Sequence, residues 1–112
     1  MTTETSAETI DNPVRRHTRG ARSGTCPFCR RQLPLTFHHL IPRKLHRRAR
    51  FRKQYSREAL NRGIDVCRQC HDGIHDRYDE MRLYREYSTP QALAEDPELR
   101  RYFDWVARQK VG

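Results

Sequence analysis

The segment Thr36-Phe37-His38-His39-Leu40-Ile41-Pro42 sets two adjacent histidines between apolar residues, and a proline closes the run. In extended backbone, neighbouring side chains point to opposite sides. Such a pair can send one imidazole to a metal and keep the other free as a base. A Cys-x-x-Cys pair stands on either side, Cys26/Cys29 before and Cys67/Cys70 after, and a second histidine pair, His71 and His75, follows the last cysteine. The reading of the chain turns on whether these pieces form one site.

A length of 112 residues points to one domain. Hydrophobic residues make up 35% of it, so the core must be thin. Thin cores need a staple, and the four cysteines are the candidates. The polar stretch 1–12 carries no apolar export signal, and no run approaches the ~20 apolar residues of a membrane span. The expectation is a cytoplasmic protein with no membrane contact, in which cysteines bind metal rather than pair as disulfides. The net charge of +9 points to a polyanionic partner, nucleic acid first; a merely soluble basic surface is the bland alternative.

Working outward, residues 1–22 read as a disordered tail, polar at first and then basic, with the folded part starting near Ser23. Thr25–Arg30 reads as a zinc knuckle, with Pro27 favouring its turn. Leu33–Phe37 reads as a short strand with Pro34 at its edge or start. From Arg43 to Arg57 the chain is densely basic, and its loose apolar spacing reads as a loop or irregular helix rather than a core element. Ser56 is placed to cap a short helix over Arg57–Asn61, ended by Gly63. Ile64–Val66 is then a strand delivering Cys67. A helix is expected from Asp72 or Gly73 to about Tyr87. Thr89-Pro90 and Asp96-Pro97 start two more, about Pro90–Ala94 and Pro97–Lys110, with Trp105 off the apolar stripe of the last. These helices could form a dimer face, but covering the thin core is the favoured reading.

Cys26, Cys29, Cys67 and Cys70 together read as a structural zinc site. Four thiolates leave no open position, so such a metal holds the fold and performs no chemistry. His71 and His75, four apart, share one helix face and can chelate a single metal.

The ordered pattern Cys-x-x-Cys, His-His-x-Ile-Pro, Asn, Cys-x-x-Cys-His-x-x-x-His resembles the HNH endonucleases over Cys26 to about Tyr78. The resemblance implies a small α+β fold with a zinc-stapled ββα-metal (His-Me finger) core, placed over 23–88; the helices expected after it form a C-terminal helical extension over 89–112 packed on the same domain. It also implies residue roles. His38, His71 and His75 match ligands of a catalytic divalent cation (Mg2+, Mn2+, Ni2+ or Zn2+). His39 matches the general base. Asn61 matches the residue that organises the base and its loop. The activity implied is phosphodiester hydrolysis leaving a 5′-phosphate and a 3′-hydroxyl. Arg43, Lys44, Arg47, Arg48, Arg50, Arg52 and Lys53 then read as a phosphate-contacting surface on nucleic acid, with double-stranded DNA the first candidate. The expected state is a monomer or weak homodimer. Two rival readings stand beside this one: a non-catalytic zinc-stabilised nucleic-acid-binding module, and an adaptor whose charge meets an acidic protein.

Overall fold

The computed structural model of the chain describes residues 14–110, and almost from its start this part is built into a sheet. Its strands are β1 (Arg15–Arg16), β2 (Arg22–Thr25), β3 (Gln32–His39) and β4 (Arg62–Cys67). They lie in the order β1-β4-β3-β2, every neighbour antiparallel. The small α+β class is as expected, but the sheet begins earlier than Ser23. Residues 1–13 of the expected tail lie outside the described residues. Residues 14–22 do not form a tail: Arg15 and Arg16 pair with Gly63 and Arg62, and Arg22 pairs with Leu35. Contacts distant in sequence hold this segment. The Arg15 guanidinium donates to both oxygens of Asp65, at 2.7 and 2.8 Å, and the His17 amide donates to the Asn61 carbonyl at 2.9 Å.

The first cysteine pair makes the turn between β2 and β3. The Cys26 amide donates to the Arg31 carbonyl and the Arg30 amide to the Cys26 carbonyl, and Arg30 takes a left-handed φ of 67° to close the loop. β3 pairs with β4 so that His38 lies opposite Ile64 and His39 opposite Gly63. That register explains Gly63, which sits inside β4 rather than ending a helix. A Cβ there would collide with the His38 carbonyl oxygen and the Phe37 ring. The short helix before it stops one residue sooner than expected.

The helices are α1 (Ala49–Gln54), α2 (Arg57–Leu60), α3 (Arg68–Arg77), α4 (Glu80–Glu86), α5 (Pro90–Glu95) and α6 (Pro97–Ala107), with a 3-10 turn over Arg43–Arg47. The caps at Ser56, Thr89 and Asp96 are in place: each side chain accepts the backbone amide three residues on. The single helix expected from Asp72 or Gly73 to Tyr87 is two. It starts earlier, because the Cys67 sulfur caps α3 by accepting the Cys70 amide, and it breaks where Tyr78 turns extended and Asp79 caps α4.

The main core joins the cysteines, Ile64 and Val66 of β4, Ile74 of α3, and Leu99, Phe103 and Val106 of α6. Phe28 stacks on Phe103 with ring centres 4.6 Å apart, fastening the first knuckle to α6. The C-terminal helices therefore cover the core, while Trp105 stays 47% exposed. The basic stretch 43–57 is not bare loop. Leu45 and Phe51 are buried with Ile41 and Leu60 in a second cluster, backed by Tyr55, Met81 and Tyr84. Its arginines are carried on a packed platform. Among the described residues, no helix is long and apolar enough to cross a membrane.

Candidate metal centres

The two Cys-x-x-Cys pairs meet. The turn between β2 and β3 supplies Cys26 and Cys29, while β4 and α3 supply Cys67 and Cys70. All four are buried, none is in a disulfide, and their sulfurs lie within 4.8 Å of one another. Cys29 and Cys67 sulfurs are 3.7 Å apart. Two sulfurs on a tetrahedral zinc, at about 2.3 Å each, are separated by roughly 3.8 Å, so the donor set and its spacing fit a structural zinc ion. The electrostatics agree. Hydrogen bonds from Cys26 and then Cys70 hold the Cys67 thiol far below its ordinary range, while the same partnership with Cys67 pushes Cys26 up to about 11. Protons are thus crowded onto part of a cluster that a dication would empty. Arg31 supplies positive charge at its edge. Its guanidinium donates to Cys29 Sγ at 3.4 Å, Cys67 Sγ at 3.7 Å, Gln69 Oε1 at 2.7 Å and the Gln109 carbonyl at 3.2 Å, so it also ties down the end of α6.

The six histidines of the chain fall into two groups. His38 from β3 and His71 and His75 from α3 form a near-equilateral triangle, with ring centres 5.2, 5.3 and 5.0 Å apart. Their ligand atoms lie within 4.8 Å of one another, close enough to share a cation. His38 is 1% exposed, and its Nδ1 is buried with no hydrogen-bond partner. An orphaned imidazole nitrogen inside a protein is costly, and a metal ion would satisfy it. The tautomer of His71 can be read from its neighbours. Thr36 donates its hydroxyl proton to the Val66 carbonyl at 3.0 Å, so its oxygen accepts from His71 Nδ1 at 2.9 Å. His71 therefore carries its proton on Nδ1 and offers Nε2 as the free lone pair. Burial, reinforced by His71, His75 and His39, holds His38 well below the usual histidine range, and burial together with His75 lowers His71 to about 4. Burial lowers His75 too, against the opposing pull of Glu80. All three are neutral at pH 7, as ligands must be.

The second group is His17, His39 and His46. The His39 ring lies 5.6 Å from His17 and 5.3 Å from His46. Their nitrogens are not among the described clusters that close to ligand spacing. His39 is lowered to about 4 by burial, then by His46, His17 and Arg43. His46 Nε2 donates to the Ile41 carbonyl at 2.7 Å. A cleft of about 470 Å3 brings the groups together: His39, His71 and His75 line it with His17, Phe37, Pro42, Arg43, Lys44 and Glu80.

The residues singled out from sequence are thus largely gathered here, with differences. Asn61 closes α2, and among the described residues its side chain makes no hydrogen bond to His39; it acts through its carbonyl, which holds His17. Of the basic residues, Arg43 and Lys44 line the cleft, and Arg43, Lys44, Arg47 and Arg52 line an adjoining groove of about 440 Å3. Arg48, Arg50 and Lys53 line neither, and Arg50 lies over Phe51 and reaches Met81. His17 was hidden in the supposed tail. Thr36 carried no signal until its partner was known. Glu80 shows itself only once Asp79 is seen to cap α4.

No family model matches the chain, and no solved structure matches it. It is 31% identical over 88 residues to the uncharacterised protein YisB of Bacillus subtilis (strain 168), a match that covers 78% of this chain and 77% of the relative. With that identity spread over three quarters of both chains, this protein belongs to the same family as YisB.

Proposed function

We propose that the chain is a metal-dependent endonuclease of the HNH type, hydrolysing phosphodiester bonds in nucleic acid, DNA first. One observation carries this reading. His38, His71 and His75 close on a common point, while His39, the next residue on β3, lines the same cleft outside that group. In this reading β3, β4 and α3 are the two strands and the helix of a ββα-metal unit, stapled by the thiolate cluster.

His38, His71 and His75 would hold a divalent cation, Mg2+, Mn2+, Ni2+ or Zn2+, with three imidazoles favouring the softer members. Bound there, it supplies Lewis-acid stabilisation of charge on the phosphate and on the leaving oxygen. His39 accepts a proton from water as the water oxygen attacks phosphorus; the opposite P–O bond breaks to leave a 5′-phosphate and a 3′-oxyanion, which takes a proton from solvent to become the 3′-hydroxyl, and His39 returns its proton to solvent. A neutral His39 has the lone pair that this step needs. An anionic phosphate in the cleft would raise its proton affinity, countering Arg43 and the neighbouring imidazoles. Arg43, Lys44, Arg47 and Arg52 border the cleft and its adjoining groove, where they can hold the backbone without reading sequence. One such cleft cuts one strand at a time.

The test is a panel of divalent metals on supercoiled plasmid, with His39→Ala beside the wild type. Wild type should nick with at least one metal. His39→Ala should lose about a hundredfold or more in rate while duplex affinity stays nearly constant. A wild type that never nicks plasmid or RNA, whatever the metal, would leave the nucleic-acid-binding module as the reading.

A further inference from the structure

A segment outside any ββα unit contributes a side chain to the cleft: His17 lines it beside His39, His71 and His75. We propose that His17 is a substrate-contacting residue, its imidazole donating a hydrogen bond to a non-bridging oxygen of a phosphodiester seated against His39. The inference rests on the nuclease reading of the same cleft and adds to it a residue from the N-terminal strand.

The backbone that carries His17 is anchored at two points. Upstream, Arg15 forks onto Asp65, which is 5% exposed, and lies over the Phe37 ring at 4.9 Å. At His17 itself the amide is held by Asn61. A two-residue strand has little stability alone, so a bidentate ion pair to a buried carboxylate is what fixes it. The ring is thereby set against Phe37, centres 4.8 Å apart, and beside His39, and it lines the cleft opened by His71 and His75.

Its chemistry is not spent inside the protein. Among the described residues, neither ring nitrogen of His17 forms a hydrogen bond, whereas His46 is committed to Ile41 and His71 to Thr36. Lys44, a long cation of the same cleft, is drawn towards Glu80 at 3.8 Å. An imidazole always keeps at least one N–H to donate. Here that donor is exposed, held in place from two directions, and adjacent to the residue assigned to activate water. A phosphate oxygen is the acceptor that a basic cleft of this kind admits.

A purely structural role, the ring lying as a lid on Phe37, makes a different prediction. His17→Phe keeps the ring and removes the donor; His17→Asn keeps a donor and removes most of the ring. With the metal that supports plasmid nicking, His17→Phe should lower kcat/KM on a short duplex by about ten- to a hundredfold, and His17→Asn should recover part of that loss. A His17→Phe protein that cuts within about twofold of wild type overturns the inference, since the loss of a bond to a charged acceptor should exceed that. Equal impairment of both variants with a lowered melting temperature also overturns it, in favour of packing. If His39→Ala is inactive while His17→Phe is normal, only this inference fails. If wild type never cuts, the nuclease reading fails, and affinity for a fluorescent duplex then decides: unchanged in His17→Phe overturns the phosphate contact, and about tenfold weaker sustains it.

Discussion

Gly63→Ala is a one-carbon change that should damage the protein more than most core truncations. Gly63 lies between Arg15 on β1 and His39 on β3, its paired neighbours in the sheet, with the β3 backbone close beside it. A Cβ built there falls inside van der Waals distance of the His38 carbonyl oxygen and 2.7 Å from two carbons of the Phe37 ring. Carbon pairs rest near 3.5 Å or beyond, so the ring must retreat by roughly 0.8 Å and the backbone oxygen by more. The ring could turn, but the oxygen belongs to the strand, so β3 must move away from β4. Overpacking of this kind costs about 1–3 kcal/mol, and each ladder hydrogen bond stretched beyond reach adds about 1 kcal/mol. A loss of about 3–5 kcal/mol follows, a large share of the roughly 5–15 kcal/mol that a folded domain holds. Thermal unfolding followed by circular dichroism should show a melting point lower by about 12 °C or more, at the usual 4–8 °C per kcal/mol. Because the displaced oxygen belongs to His38, metal-dependent cleavage should fall further than the remaining folded fraction accounts for. A Gly63→Ala protein melting within about 1 kcal/mol of wild type would refute the close approach on which the register of both histidines depends.

Four further outcomes follow from named contacts. Cys67→Ser should abolish tight binding of the structural metal and leave a chain that is poorly folded by circular dichroism, because the residue is both a thiolate ligand and the cap of α3. Thr36→Val should weaken the metal held by His38, His71 and His75 by about 10- to 100-fold in a calorimetric titration while the thiolate metal stays bound, because it frees the His71 ring to turn and switch tautomer. Asp96→Asn should cost about 2 kcal/mol in urea unfolding, since an amide cannot accept from Tyr78, Tyr87 and the Leu99 amide as the carboxylate does. Without added divalent metal for the histidine site, stability should fall between about pH 7.5 and about pH 5.5: His38, His39 and His71 stay neutral when folded but take up protons near 6.5 when unfolded, a linkage of about 3 kcal/mol after discounting half-exposed His39. A flat profile across that window would contradict the burial of those rings.

Ligand chemistry is what made the two clusters legible in advance. Thiolates and imidazoles at fixed spacings have few other uses, so Cys26, Cys29, Cys67, Cys70 and the pairs His38-His39 and His71/His75 could be grouped before their positions were known. Where the chain obeyed a local rule, as at the Ser56, Thr89 and Asp96 caps, the helix began where it should. The misses share a physical cause, which is that the deciding partner lay far off in sequence. Nothing in Arg15-Arg16-His17 looks like strand; it becomes one because Asp65, fifty positions on, is buried and needs a counter-charge. Leu45 and Phe51 read as incidental in a basic run because their periodicity is broken across a 3-10 turn and a separate short helix, and only Leu60, Met81 and Tyr84 reveal the cluster they fill. Gly63 fitted a helix ending as well as a strand crossing, and only the close pass of His38 separates the two.

The thiolate cluster and the histidine cleft are mechanically one part, although their donor atoms form separate groups. Cys67 ends β4, caps α3 and contributes a sulfur to the cluster, so the first turn of α3 starts from a fixed point. His71 and His75 lie four and eight residues beyond it, about 6 and 12 Å along the helix axis. Their ring positions relative to His38 are set by where that helix begins and by the β3–β4 register, and Cys67 takes part in both: it lies opposite Leu35 in the same ladder that places His38 opposite Ile64. A metal held by the four sulfurs would therefore fix the phase of α3, and with it the distance between His38 and the two helical imidazoles. Losing it would let α3 fray from its first turn, the turn that carries His71. A staple with no open coordination position does no chemistry of its own, yet on this geometry it decides whether the second site exists.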